Sequence, residues 1–498
     1  MRSENEKRDN LCIGANLLRK LKYYGGKRMN TMEASEKQVY LYSIGNIANT
    51  AIFAFVGTYI MFYYTNILGI SATVAGTIFM VARIVDAFTD PIMGMIIDRT
   101  NTKKFGKYRP FIMFGSPLLG IIFVVMFMAP DLSMGGKIVY AYTSYILYSL
   151  AWTCVQIPQL ALPIILSNNT TRRTKIQAIF QAVGNIGNIA VTSLAIHMLS
   201  WFGGDGSKEA WFTVAVIFAI FSTIMFIGSA MSVRKLDVFN PSQASRVASG
   251  EKISLKDRIK VITSNTALLM VLISFGTDSL AIQIGNGLNM YFFKYNMGEK
   301  QHLMGALGWS TTIFSFILIA LVGWYVGKLG KKNGIIVAEL LAIVAAVGLL
   351  FTPSHNTFLV MVFLIGSLLI GAITNMLSRS AVLDSANYAE WKTGINGSAL
   401  VSSTFTFVNK LSQAFGAFIM GYVLDFVGYA PNLAQQSLAT LKAILYMKTL
   451  IPIFAFICSV IAMKFYPIDK KTESEMEAFI NDKREKEIES YRLSQEAN

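Results

Sequence analysis

About twelve apolar runs, each around 20 residues or longer, follow one another along this 498-residue chain, and that succession limits what it can become. A hydrocarbon core about 30 Å thick takes about 20 helical residues to cross, and only helices or closed barrels satisfy their backbone groups inside it. The runs lie near 39–68, 73–97, 109–129, 138–166, 175–202, 211–233, 266–295, 303–327, 334–353, 357–383, 396–427 and 443–466. With 53% hydrophobic and 15% charged residues, the chain is expected to be an all-α, polytopic membrane protein.

A net charge of +15 invites a polyanionic partner, but its distribution argues otherwise. Counted by loop, 35 of the 44 Lys and Arg fall in the N-terminal tail, alternate loops and the C-terminal tail. Six fall on the other side: Lys137, Lys208, Lys294, Lys300, Lys442 and Lys448. Basic residues accumulate on the cytoplasmic face, so both termini are expected there, in a multi-pass protein of the cell (plasma) membrane with no nucleic-acid partner. Arg83, Arg379 and Lys410 are left inside spans.

Cys12, Cys154 and Cys458 are three and far apart, as packing residues are, and His197, His302 and His355 show no ligand spacing. No cofactor is expected. Residues 1–38 are polar and basic with no cleavable signal, and Met29 and Met32 leave open whether the first thirty residues belong to the working protein.

The chain repeats itself. MFYYTNILG at 61–69 matches MYFFKYNMG at 290–298, and Gly69, Gly76 and Gly94 correspond to Gly298, Gly305 and Gly323 at a constant offset of 229 residues. Parallel halves of this kind are a common plan of transporters. The expected organisation is a tail (1–38), a six-helix bundle (39–233), a polar cytoplasmic linker (234–265), a second six-helix bundle (266–467) and a C-terminal tail (468–498).

Chemistry concentrates in VARIVDAFTDPIMGMIID, where Asp86 and Asp90 stand one helical turn apart in an apolar span. An ionised Asp at a span centre costs about 2.5–3.5 kcal/mol, so such a residue is expected to face a cavity, a partner or an ion. Two carboxylates so close cannot both stay charged in low dielectric unless Na+, H+ or a basic side chain compensates. Arg83, three residues earlier, offers a purely structural pairing for Asp86 but leaves Asp90 unexplained. Pro91 frees a carbonyl that either helps an ion or marks a simple kink. At the repeat offset Ser315 and Ile319 stand opposite the two acids, so the couplet is read as belonging to one half only. Lys410, within TFTFVNKLSQAFGAF, is the other deep charge; mid-span placement favours a role at the site over snorkelling to the membrane edge.

The loop GMIIDRTNTKKFGKYRP resembles the cytoplasmic gate signature of the major facilitator superfamily. Gly94 would allow close helix approach, Asp98, next to Arg99, would pair with an Arg or Lys across the halves, and the echo GWYVGKLGKKNG contributes Lys328 but no acid. The stretch VARIVDAFTDPIMGMIIDRTNTKKFGKYRPFI as a whole, with VLDSANYAEWKTGING at 382–397 and Lys410 beyond it, resembles the glycoside-pentoside-hexuronide:cation symporters, the melibiose permease family, over about residues 38–467.

That resemblance implies a major facilitator fold of twelve transmembrane helices in two six-helix pseudo-repeats, and symport of a sugar or glycoside with Na+, H+ or Li+. It implies a cation site at Asp86, Asp90 and Thr153, with Lys410 close by; Thr89 stands between the acids where the family has Asn, and Na+ would take Asp86 and Asp90 as ligands. The family's sugar-binding residues are replaced: Asn49, Thr50, Gln156 and Gln181 stand where it has charged residues, and Leu160 and Asn375 where it has aromatic platforms, so the five polar ones are neutral donors and acceptors suited to an uncharged polar ligand. Lys410 completes that candidate set. The alternatives are a carrier of another amphiphile such as a lysolipid, or a sugar sensor that does not transport. A membrane enzyme is excluded by the lack of a soluble domain, nucleotide loop or triad spacing.

Overall fold

The computed structural model describes residues 33–100, 102, 104–167, 170–237, 262–393, 398–431, 433, 435–469, 471–476 and 478–479. Cys12, Met29, Met32, most of the linker and the end of the C-terminal tail lie outside them.

The described chain is helical almost throughout: α1 (Glu36–Phe62), α2 (Ala72–Arg99), α3 (Arg109–Met126), α4 (Met134–Ala161), α5 (Thr170–Ile189, continuing to Trp201), α6 (Lys208–Ser232), α7 (Thr266–Gly287, continuing to Asn296), α10 (Thr357–Thr393), α11 (Ser398–Phe426) and α12 (Leu438–Lys464). Between α7 and α10 a single helical stretch, Leu303–Phe351, is broken at Gly330, whose φ of 74° and ψ of 170° turn the chain back and divide it into α8 (303–329) and α9 (331–351). Ten segments among the described residues are long and apolar enough to cross a membrane; the 303–329 helix and Ser398–Phe426 bring the spans to twelve. The expected all-helical, twelve-span architecture is met.

Helix starts are written locally. Ser35, Ser71, Ser133, Ser207 and Ser437 each accept a hydrogen bond from a backbone N–H of the first turn, as Asn265 does for α7. Ser35 and Gln38 close a reciprocal capping box. Lipid-depth packing then uses polar side chains as glue: Tyr42 donates to the Gln159 carbonyl at 2.8 Å, and Ser229 to that of Tyr42 at 2.7 Å. At the α1–α5 crossing the helices touch backbone to backbone, and a Cβ on Gly187 would lie 2.1 Å from the Ile47 carbonyl oxygen.

The repeat seen in the sequence recurs in the backbone. α1 ends in a π-helical turn over Tyr63–Ile67 and α7 in one over Phe292–Asn296, the same offset of 229 residues. Each turn is followed by a glycine in the left-handed region, Gly69 at φ 72° and Gly298 at φ 71°, a conformation that taxes any side chain. The two blocks meet one another: Asn66 donates to Tyr295 Oη at 3.0 Å, and Thr65 Oγ1 lies 2.8 Å from Tyr291 Oη. Asp425 of α11 accepts from the first amides of α2, Ala72 at 3.0 Å and Thr73 at 2.7 Å. These bonds hold the halves together at the end remote from α1's start and α12's finish. An aromatic cluster of Phe55, Tyr59, Phe62, Tyr63, Phe127 and Trp211 stiffens α1, α3 and α6 near the same end.

Candidate functional site

The couplet on α2 points inward. Asp86 is fully buried while Phe88, two residues on and therefore on the opposite face, is 69% exposed. Asp86 Oδ1 accepts from Ser149 of α4 at 2.6 Å and Oδ2 from Arg83 at 3.2 Å. One turn further, Asp90 Oδ1 accepts from Thr153 of α4 at 3.1 Å. The second Asp90 oxygen accepts a hydrogen bond from Lys410, which arrives on α11 from the other half and also stands 4.0 Å from Asp86. Asp86, Asp90, Thr153 and Lys410 thus converge. Thr89, next to Asp90 in the chain, has a buried hydroxyl with no hydrogen-bond partner among the described residues.

Both basic side chains that the sequence offers as partners are in place: Arg83 and Lys410 bring two positive charges to the two negative ones. The i, i+3 spacing delivers the first, and the α2–α11 contact between halves the second.

Two cavities lie on this side of the bundle, and none of the four residues lines either. One of about 20 Å³ is lined by Arg83 and Ser149, both partners of Asp86, and a volume of that order holds a single water or small ion. The other, about 450 Å³, lies between the halves and is bordered by Asn185, Asn188, Asp278, Asn286, Asn375 and Lys448 among others. Phe53, Gly57 and Gln283 are walls of both.

Of the candidate substrate residues, only Asn375 borders the large cavity, and its Oδ1 accepts from Arg379 at 2.9 Å. Asn49 and Thr50 lie just before Phe53 on α1, engaged in packing: Asn49 donates to Asn46 at 3.2 Å, and Thr50 to the carbonyls of Asn46 and Gly184. Gln156 is half-buried outside the cavity wall, and Gln181 is exposed.

Reading the sequence by the repeat missed three residues. Asp278 on α7 and Glu339 on α9 are both buried, so acids deep in the membrane are not confined to the first half. The test that singled out Asp86, an acid inside an apolar run, would have found them in FGTDSLAIQIG and IVAELLAIV. Lys448, counted among the far-side cations, instead lines the cavity from within α12, donating to the Gly285 carbonyl at 3.1 Å and to Asn289 at 2.5 Å.

At the gate, Gly94 has open space around its Cα, and Arg99 and Lys328 are exposed; the Asp98 side chain lies outside the described set. The ordered anchor of that loop is Asp237, which accepts from the amides of Lys107, Tyr108 and Arg109, each at 2.9 Å. In the second half Lys331 pairs with Asp384 at 2.7 Å and Glu473 at 2.8 Å, so acids from α10 and the tail stand where the loop itself has none.

With this geometry in view, comparison with known proteins decides the family. The model of the family described as "MFS/sugar transport protein" matches residues 41–470. The chain belongs to that family. This transporter is 31% identical over 437 residues to the isoprimeverose transporter of Lactiplantibacillus pentosus, covering 86% of this chain and 88% of the relative. It is 30% identical to the inner membrane symporter YicJ of Escherichia coli (strain K12), covering 88% and 93%, and 26% identical to that organism's putative glycoside/cation symporter YagG, covering 88% and 92%. Among solved structures the nucleoside transporter NupG superposes with a TM-score of 0.61 at 12% identity, over 87% of this chain and all of that one, which speaks for the fold alone. The twelve spans are therefore those of a multi-pass major facilitator protein, a transporter and not an enzyme.

Proposed function

We propose that this transporter is a symporter, carrying a sugar or glycoside together with a monovalent cation, Na+ or H+, by alternating access across the plasma membrane with both termini in the cytoplasm. The relatives named as an isoprimeverose transporter and a glycoside/cation symporter support the sugar and the coupling. The supporting observation in this chain is that Lys410 reaches Asp90 from the other half.

Asp86 is held on its own side by Arg83 and Ser149. Asp90 depends on a counter-charge that belongs to α11, so parting the halves there strips it. Leaving a partly buried charge without its partner is costly, which makes the bare state unfavourable. A cation taking Lys410's place between Asp90, Thr153 and Asp86 removes that penalty, and the empty carrier avoids it by keeping Lys410 in position. Thr89 stands beside this site. The walls shared by the small and large cavities give the sugar a route of influence on the cation.

In this reading the sugar occupies the large cavity against Asn375, with Asn49, Thr50, Gln156 and Gln181 shaping the helices behind it. Gly94, Asp98, Arg99 and Lys328 form the cytoplasmic gate. Bundles 39–233 and 266–467 rock about the site, linked by 234–265. The test is a panel of sugars, isoprimeverose included, offered to reconstituted protein with and without Na+ at two pH values. Cation-independent uptake of every accepted sugar would overturn symport.

A further inference from the structure

We propose that Asp278 and Glu339 form a second cation site in the carboxy-terminal half, one that binds a proton and loads from the central cavity. It is independent of the quartet on α2.

Asp278 lies one helical turn after Ser274 on α7, and Ser274 is joined through Ser459 to Glu339, which brings the two carboxyl groups toward one another. Asp278 is 5% exposed and Glu339 fully buried. Among the described residues, neither Asp278 Oδ1 nor Glu339 Oε2 has a hydrogen-bond partner. Ser459 of α12 donates to Glu339 Oε1 at 3.3 Å and is itself bonded to Ser274 of α7 at 2.6 Å.

The nearby cations are committed elsewhere. Lys448 of α12 is bonded to Gly285 and Asn289; Arg379 of α10 lies over the rings of Phe275 and Phe405; Lys410 of α11 is on Asp90. The α1 stretch that borders the cavity, Phe53 to Thr58, carries no charge. Two facing carboxylates in a low-dielectric interior do not both ionise, and one proton between them turns mutual repulsion into a hydrogen bond filling both vacant oxygens. A metal cation fits poorly: hard ions demand a shell of several oxygens, and the two serine hydroxyls here already bond each other and Glu339. Asp278 borders the cavity and so gives the proton its way in and out.

Infrared spectra of the purified full-length protein in detergent, recorded without sugar across a pH series, test this separately from the symport reading. Wild type should show a protonated-carboxyl carbonyl band at neutral pH, where exposed Asp and Glu, with values of about 4, have ionised. Asp278→Asn and Glu339→Gln should each lose it, while Asp90→Asn keeps it. Each variant is read only on monodisperse protein, so misfolding of one leaves the other decisive. A band absent from wild type, unchanged in both variants, or removed by NaCl at constant pH would overturn the assignment.

Discussion

Lys410 donates a hydrogen bond to Asp90 across the interface between the two halves, the ionic link that ties α11 to the acidic couplet of α2. Thr153 holds the other oxygen of the same carboxylate at 3.1 Å. The two acids therefore differ in kind: Asp86 belongs to a local pair, Asp90 to a pair that domain motion can break.

That difference separates two substitutions. Asp86→Asn leaves Arg83 buried opposite a neutral amide and should destabilise the protein by about 3–5 kcal/mol. Asp90→Asn, at a partly exposed position, should cost visibly less. Thermal unfolding of both variants in the same detergent gives the order; equal losses would mean that the two acids are equivalent.

Removing the competitor should favour the ion. In Lys410→Met, a cation at Asp90 no longer has to displace an ammonium, so apparent cation affinity should rise by about tenfold or more, equivalent to about 1.4 kcal/mol. Sugar binding titrated against Na+ and against pH reads the shift. An unchanged or weaker affinity would make Lys410 a bystander or a ligand.

The far end of the bundle is closed in part by Asp425, which accepts from the Ala72 and Thr73 amides at 3.0 and 2.7 Å. Asp425→Ala frees two helix-start amides, a loss of about 0.5–2 kcal/mol by analogy with helix caps. All of it is paid by the closed arrangement. Maleimide labelling of Asn188→Cys from outside, in a background lacking other cysteines, should then accelerate severalfold.

Packing makes its own forecast. A side chain on Gly187 meets the Ile47 carbonyl oxygen at 2.1 Å, whereas Gly57 has open space beside it. Gly187→Val should lower the melting temperature sharply or prevent recovery of folded protein, and Gly57→Ala should fold as wild type does.

Much of this was legible beforehand because membrane physics writes loudly. Run length and the Lys/Arg bias gave the spans, and the offset of 229 residues that aligned Gly69 with Gly298 reappears as matching π-turns and matching backbone angles. The α2 couplet was visible as charge out of place, and the i, i+3 spacing of Arg83 was visible beside it. What stayed hidden depends on three dimensions. Nothing local says that Asn49 and Thr50 bond within the α1–α5 crossing while Asn188 and Asn286 open on the cavity, since all are polar residues in apolar helices. Lys448 was misplaced because a lysine ten residues into α12 reads equally as the end of a loop. Asp278 and Glu339 were passed over for a different reason: each stands alone in its span, and only the fold makes them neighbours.

The central claim is that a cation replaces Lys410 at Asp90. Its most direct test compares uphill sugar accumulation with sugar counterflow in proteoliposomes bearing wild type or Asp90→Asn, using a sugar the wild type accepts. The account predicts that the variant loses cation-driven accumulation and retains exchange. Accumulation undiminished by the substitution would contradict it.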